Sequence, residues 1–262
     1  MMPDHTAPAD LVATLGPTAS YLVVVDFDGT LAPIVDRPEL AQAAPGAAEA
    51  LTALARHTTV AALSGRPLEE LLERLPGDVL LLVGGHGSQI RGLDGEQEHL
   101  VDVDGLTEAL DRAEQDVLAA VGDGGGWLVE RKLASLAVHH RLVPEDEEAA
   151  LLPRVSALLD ARRQDGPGFD VLQGKAIIEL RPSGVDKGLA LRWMMEQHPG
   201  LVPLVFGDDH TDEDAFEVAV EANGRAVIVG DDPRPTHATD RLKDPTEVVE
   251  TLAALAEGSG GE

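Results

Sequence analysis

The chain has 262 residues, 44% of them hydrophobic and 26% charged, enough to bury a substantial core and too many for a disulfide-stapled miniprotein. Twenty Lys and Arg against 47 Asp and Glu leave a formal charge of −27, which repels phosphate backbones and anionic bilayers and argues against nucleic acid or membrane as a partner. Cysteine is absent, so disulfides, thiolate metal sites and Cys nucleophiles are excluded together and hard cations with oxygen ligands are favoured.

Residues 1–20 carry no Lys or Arg, and no later run reaches the ~18 apolar residues of a membrane span, so the cytoplasm is the expected location. Leu22-Val23-Val24-Val25-Asp26 is apolar without alternation, the pattern of a strand buried on both faces in a parallel sheet. Pro45 opens a helical pattern through Ala47, Ala48, Leu51, Leu54 and Ala55, and Thr59–Leu63 reads as a strand. Pro67 stands at the first position of a helix whose Leu68, Leu71, Leu72 and Leu75 share a face, and a strand over Val79–Val83 follows. This alternation is the signature of an α/β sheet.

The middle reads differently. Leu106–Val121 and Glu145–Arg163 have the pattern of amphipathic helices, Gly122–Gly126 that of a loop, and Trp127–Glu130, Leu136–Arg141 and Phe169–Arg181 that of half-exposed strands. The α/β rhythm then returns with a helix over Lys187–His198, a strand over Leu201–Phe206, a helix over Asp212–Glu221, a strand over Ala226–Val229 and a helix over Glu247–Ala256, before a frayed tail at Glu257–Glu262. The pattern predicts an α/β core with a parallel sheet, built from residues 1–100 and 183–262, and a separate α+β domain inserted over 101–182.

Asp26-Phe27-Asp28-Gly29-Thr30 stands where the first strand ends, the edge at which open α/β sheets bind ligands. Two carboxylates two residues apart, with a Gly for the turn, can set one forward as nucleophile and the other beside the leaving group. Asp102-Val103-Asp104-Gly105 repeats the pattern, but there Asp104 reads as the cap of the helix that follows. Gly207-Asp208-Asp209 leads into His210-Thr211-Asp212-Glu213-Asp214 at a second strand exit. Thr211 or Asp212 suits a cap, and Glu213 and Asp214 suit the helix dipole. The adjacent pair Asp208 and Asp209 calls for a cation or donors, and with Asp26 and Asp28 on a neighbouring strand it suggests an oxygen-rich Mg²⁺ site. Ser64-Gly65-Arg66 follows another strand, and Val185-Asp186-Lys187-Gly188 opens a helix. Ser64 reads as a turn residue or a phosphoryl ligand, and Lys187 as a solvated or a ligand-holding ammonium. His139-His140 project to opposite strand faces, which argues against a His–His metal pair. Tyr21, Trp127 and Trp193 read as packing residues.

Taken in this order, the residues resemble the haloacid dehalogenase superfamily of aspartate-nucleophile phosphatases, and more closely the trehalose-6-phosphate phosphatases. The motifs that carry the resemblance are Asp26-Phe27-Asp28-Gly29-Thr30-Leu31, Ser64-Gly65-Arg66, Gly85-His86-Gly87, Glu130 with Lys132, His139 with Arg141, Gly174-Lys175 with Glu179, and Gly207-Asp208-Asp209 with Thr211-Asp212-Glu213. The resemblance implies a Rossmann-like core whose insert is a cap, and a Mg²⁺-dependent phosphatase acting on a small phosphorylated disaccharide as a monomer. It implies Asp26 as nucleophile, Asp28 as acid and base, and Mg²⁺ on Asp26, the Asp28 main-chain carbonyl and Asp208. Lys187, Ser64 and Gly65 would hold the phosphoryl oxygens, Asp209 and Asp212 would support the metal or Lys187, and Arg66, His86, Gln89, Lys132, His139 and Glu179 would meet the sugar.

One departure stands out: the family follows its His-Gly pair with a small residue and Glu, where this chain has Ser88-Gln89. Gln offers an NH₂ donor in place of a charge, and if that position touches the sugar, a trehalose-like pseudo-disaccharide phosphate becomes the alternative substrate. A sugar phosphomutase and a non-catalytic sugar-phosphate sensor are the further alternatives. A sensor would be expected to have lost the nucleophile, the acid or the metal-holding Asp, and this chain has all three.

Overall fold

The computed structural model describes residues 2–35, 37–122, 125–165, 168–174 and 176–258. Lys175, two residues of the 122–126 loop and the last four of the 257–262 tail lie outside the described residues. The chain forms two compact units, residues 1–98 with 186–262, and residues 99–185.

The elements of the first part are α1 (Pro8–Thr14), β1 (Tyr21–Val25), α2 (Ala47–Leu54), β2 (Thr59–Leu63), α3 (Leu68–Arg74), β3 (Leu81–Gly84), β4 (Gln89–Arg91) and β5 (Gln97–His99). The next are α4 (Val103–Val121), β6 (Leu128–Arg131), β7 (Leu136–His139), α5 (Glu145–Asp160), β8 (Phe169–Gly174) and β9 (Ile177–Pro182). The last are α6 (Lys187–Gln197), β10 (Val202–Gly207), α7 (Glu213–Glu221), β11 (Arg225–Val229), β12 (Asp240–Leu242) and α8 (Pro245–Gly258).

One sheet runs β12-β11-β10-β1-β2-β3-β4-β5, parallel from β12 to β3 and antiparallel between β3 and β4. The chain leaves β1 towards β2 and β3 and returns on its other side at β10, so the strand order reverses between β1 and β10. That switch point opens a crevice at the carboxyl ends of the strands. Val23, Val25, Val60, Ala62, Leu204, Phe206 and Val227 join Leu11, Leu51, Leu54, Leu71 and Leu252 of α1, α2, α3 and α8 in one buried cluster. Leu22 and Val24, also fully buried, alternate to the other face, and α7 packs on β10 and β11 and against α6. Burial on both faces explains why these strands read as unbroken apolar runs.

Unit 99–185 has a four-stranded sheet, β6-β7-β9-β8, antiparallel throughout. Leu136, Val138, Ile178, Leu180 and Phe169 form its apolar core with Leu106, Leu110 and Val117 of α4 and Val155 and Leu159 of α5. The registers Glu130↔Ala137 and Ala137↔Glu179 set Glu130 and Glu179 on the opposite face.

The α/β class and the parallel core sheet expected from the sequence are both present. Several element starts need correction. Gly46, at φ 86, and not Pro45, precedes the first turn of α2, because only Gly takes that conformation without cost. Pro67 is the cap residue of α3, with ψ 148, and not its first helical residue. Asp102, not Asp104, caps α4: its carboxylate accepts the Gly105 N–H three residues on.

Candidate active site

The Asp26 N–H extends the β1 ladder by donating to the Phe206 carbonyl at 2.9 Å. The next side chains alternate: Asp26 lies at the strand exit, 5% exposed, and Phe27 is wholly buried in the core. Gly29 then turns the loop at φ +83, and a Cβ there would stand 2.0 Å from Asp208 Oδ2. Only Gly lets the β1 loop and the β10 loop approach so closely.

Lys187, the first residue of α6, is 3% exposed. Its Nζ donates to Asp26 Oδ1 at 2.8 Å and to Asp212 Oδ1 at 2.6 Å. Asp212 Oδ2 accepts the N–H groups of Asp208 and Asp209 at 3.0 and 2.9 Å. Asp212 therefore fixes the ammonium and the β10 exit together. Asp186 caps α6 through the Leu189 N–H, so the helix start that carries Lys187 is itself anchored.

Asp26, Asp208 and Asp212 each offer an oxygen within 4.8 Å of the others. Burial pushes the Asp26 carboxyl up to about 7, with Asp212 adding to the rise and Lys187 opposing it. Burial, then Asp26 and Asp212, push Asp208 up to about 8. Burial works against the Lys187 charge, but Asp212 and Asp26 outweigh it and hold the ammonium above its ordinary range. Three carboxylates with one ammonium leave two negative charges when all are ionised, and a hard divalent cation with oxygen ligands fits that donor set. Both Asp212 oxygens are already committed to hydrogen bonds, so Asp26 and Asp208 are the freer donors.

Ser64, 1% exposed, closes β2, and its Oγ accepts the Arg66 N–H at 3.2 Å. Gly65 faces the His86 ring, which would lie 2.5 Å from a Cβ, and His86 takes φ 54 to reach that place.

Three residues do something other than the sequence suggests. Arg66 is folded into the core unit and not presented as a sugar ligand. Its Nε and Nη2 grip the two Asp28 oxygens at 2.6 and 2.7 Å, Nη1 donates to Glu70 at 2.6 Å, and Nη2 also reaches the Pro38 carbonyl at 2.7 Å. The guanidinium lies 5.3 Å over the Phe27 ring. The Asp28 carboxylate thus faces Arg66 and stands outside the three-acid cluster. Gln89 is 7% exposed, and its Oε1 accepts the Leu68 N–H at 3.2 Å, so it anchors the start of α3. Asp209 turns to His210, whose N–H and ring it accepts at 2.7 and 2.8 Å; Asp212 alone of the pair holds Lys187.

Within unit 99–185, Glu179 accepts from Ser135 Oγ at 2.7 Å and Lys132 Nζ at 3.2 Å. His139 pairs with Glu130 at 2.9 Å, and this bond, against burial, holds the Glu130 carboxyl below its ordinary range. His140 pairs instead with Glu148 at 2.7 Å. Lys132, His139 and Glu179 are thus brought together on the face of the sheet away from α4 and α5. Trp127 packs beside the apolar core and donates to Glu147 at 3.0 Å. Sequence reasoning missed Glu70, whose signal is its spacing of four from Arg66, and Arg234, whose Nη2 donates to the Asp208 carbonyl from a loop without regular pattern.

The family model described as trehalose-phosphatase matches residues 24–246. The chain belongs to the trehalose-phosphatase family. Among curated members, a trehalose-phosphate phosphatase of Mycobacterium marinum is 38% identical over 89% of this chain and 61% of its own length. One of Mycobacterium leprae is 35% identical over 94% of this chain and again 61% of its own. An uncharacterised glycosyl hydrolase of Mycobacterium tuberculosis is 39% identical over 89% of this chain. The chain spans 18% of the length of that last protein. Among solved structures, a trehalose-6-phosphate phosphatase related protein matches with TM-score 0.77 and 29% identity, over 92% of this chain and all of its own. The C-terminal domain of a C. albicans trehalose-6-phosphate phosphatase shares the fold with TM-score 0.80 at 24% identity, over 98% of this chain and 99% of that one. The trehalose-phosphatase model thus spans all the strand-exit residues, from Asp26 to Asp212, as well as the inserted unit.

Proposed function

We propose that the protein hydrolyses trehalose 6-phosphate to trehalose and inorganic phosphate through an aspartyl-phosphate on Asp26, with Mg²⁺ as its cation. The observation that carries the reading is the buried Asp26–Lys187–Asp212 chain beside Asp208 at the switch point of the sheet, in a chain of the trehalose-phosphatase family.

In the first transfer an Asp26 oxygen attacks phosphorus while the bond from phosphorus to the sugar oxygen breaks, and Asp28 delivers a proton to that oxygen. In the second, Asp28 takes a proton from water as the water attacks phosphorus, and the Asp26 carboxylate leaves with phosphate released. Splitting the hydrolysis in two replaces one difficult displacement with two in-line transfers. Arg66 holds both Asp28 oxygens, a pairing that suits the ionised carboxylate of the second step, and one of these bonds opens when Asp28 carries the proton of the first. Lys187, kept protonated by two carboxylates, and Ser64 with the Gly65 backbone supply donors for the phosphoryl oxygens. Asp26, Asp208 and the Asp28 main-chain carbonyl would hold Mg²⁺, which neutralises charge on the phosphoryl group when bound. Asp212 keeps Lys187 and the Asp208 backbone in place, and Asp209 supports the turn between them. Lys132, His139 and Glu179 of the inserted unit are the residues we assign to the sugar. The Gln89 carbonyl oxygen is spent on Leu68, so any bearing of this departure on the choice of disaccharide runs through its NH₂. The proposal extends to a monomeric, cytoplasmic enzyme; among the described residues no helix is long and apolar enough to cross a membrane.

The test is phosphate release with Mg²⁺ from trehalose 6-phosphate, sucrose 6-phosphate, glucose 6-phosphate and a pseudo-disaccharide phosphate, each with an EDTA control. A strong preference for trehalose 6-phosphate, abolished by EDTA, is expected. Preference for another substrate would move the specificity and keep the chemistry, and no release from any would overturn the reading.

A further inference from the structure

Residues 231–238 follow β11 without helix or strand, yet they are tied to the carboxylate cluster by Arg234. Its Nη2 donates to the main-chain oxygen of Asp208, and its Nε faces Glu213 Oε1 at 3.7 Å, both atoms buried. Glu213 opens α7, and its other oxygen accepts the His237 N–H at 2.8 Å. Glu213 therefore hydrogen-bonds the loop at His237 and faces Arg234 with its other oxygen as an ion pair beyond hydrogen-bond distance.

The consequence falls on Asp208. Its N–H is held by Asp212 at 3.0 Å and its carbonyl by Arg234, so both peptide planes that aim its carboxylate are fixed. That carboxylate lies against Gly29, in contact too close for any Cβ, so a small rotation of the backbone moves it relative to Asp26. Groups that orient a metal ligand without touching the metal typically change metal affinity 10–100-fold when removed.

We propose that Arg234, seated by Glu213, is a positioning residue that aims the Asp208 carboxylate at the divalent cation. The inference rests on the reading of Asp26 and Asp208 as cation holders given above. Arg234→Met removes the donor and keeps most of the apolar stem; Arg234→Lys keeps one ammonium donor.

The experiment is calorimetric titration of Mg²⁺ into the substrate-free parent, Arg234→Met, Arg234→Lys and Glu213→Gln, with thermal unfolding of each in EDTA. For Arg234→Met the Mg²⁺ dissociation constant is expected to rise about tenfold, with the Tm in EDTA close to the parent's. Arg234→Lys recovers part of the affinity and Glu213→Gln loses a smaller part. At saturating Mg²⁺ the KM for the sugar phosphate stays at the parent value. Parent-like Mg²⁺ affinity in folded Arg234→Met overturns the proposal, as does an affinity loss that only follows a lowered Tm in EDTA. A parent that binds no Mg²⁺ also overturns it. If Arg234→Met fails to fold, Glu213→Gln decides by the same readout. If the parent binds Mg²⁺ and Arg234→Met binds it more weakly, but neither releases phosphate from trehalose 6-phosphate, the substrate reading fails and the assignment of Arg234 stands.

Discussion

Lys187 shows how one residue can answer for several. Its ammonium, 3% exposed, is shared by Asp26 and Asp212, and removing it leaves these buried carboxylates with no countercharge in hydrogen-bond reach among the described residues. Breaking a buried pair from one side typically costs about 3–5 kcal/mol, so Lys187→Met is expected to lower unfolding free energy by that order in EDTA, and to abolish turnover. Urea unfolding of parent and variant measures the first, and an unchanged midpoint would refute the pairing as described. Asp28 is the complementary case, because its carboxylate faces Arg66 and not the cluster. Asp28→Asn is expected to slow hydrolysis of a sugar phosphate by ~10²–10⁴-fold and that of p-nitrophenyl phosphate much less, since that leaving group needs no proton. Equal losses on both substrates would take the proton-transfer role away from Asp28.

At the scale of elements, α3 depends on a residue outside it. Gln89, on β4, accepts the Leu68 N–H that opens the helix. Gln89→Leu leaves that buried donor unpaired, at a cost of about 1–3 kcal/mol, and is expected to lower the Tm while the ratio of activity on trehalose 6-phosphate to that on sucrose 6-phosphate stays put. A changed ratio with unchanged Tm would return Gln89 to the sugar. The same residue shows where sequence reading stops. β1, β2, β10 and β11 were legible because burial on both faces leaves an unbroken apolar signature, and Asp26, Ser64 and Asp208 stand out as candidates because they lie where those runs end. β4, β5 and β12, three residues each, carry too few side chains for any period to emerge. Arg66 was seen but not understood, since its partners Asp28 and Pro38 lie 38 and 28 residues away, and only the parallel pairing of β1 with β2 brings them together. Nothing local in residues 231–238 marks Arg234, whose target is a backbone carbonyl in another loop.

For the whole molecule, the carboxylates make stability depend on pH and cation together. Asp26 and Asp208 rise from 3.8 when unfolded to about 7 and about 8 when folded, so between about pH 4 and pH 8 the native state binds more protons than the unfolded chain. Stability must then fall as pH rises through that window. Glu130 and Asp209 shift the other way: they stabilise above their ordinary values and lose that contribution in acid. Lys187 is raised, so its contribution is complete below about 10.5 and does not vary in the window. Without a divalent cation the Tm is therefore expected to peak near pH 5 and decline towards pH 8. Mg²⁺ binds the ionised carboxylates and competes with their protons, so it should raise the Tm more at pH 8 than at pH 5.5. The formal charge of −27 adds a general repulsion that any salt screens, and NaCl at matched ionic strength isolates it, with a screening length of about 8 Å at 0.15 M. An equal Mg²⁺ increment at both pH values, or an increment that NaCl reproduces, would mean that the cation does not act through the buried cluster at the end of β1 and β10.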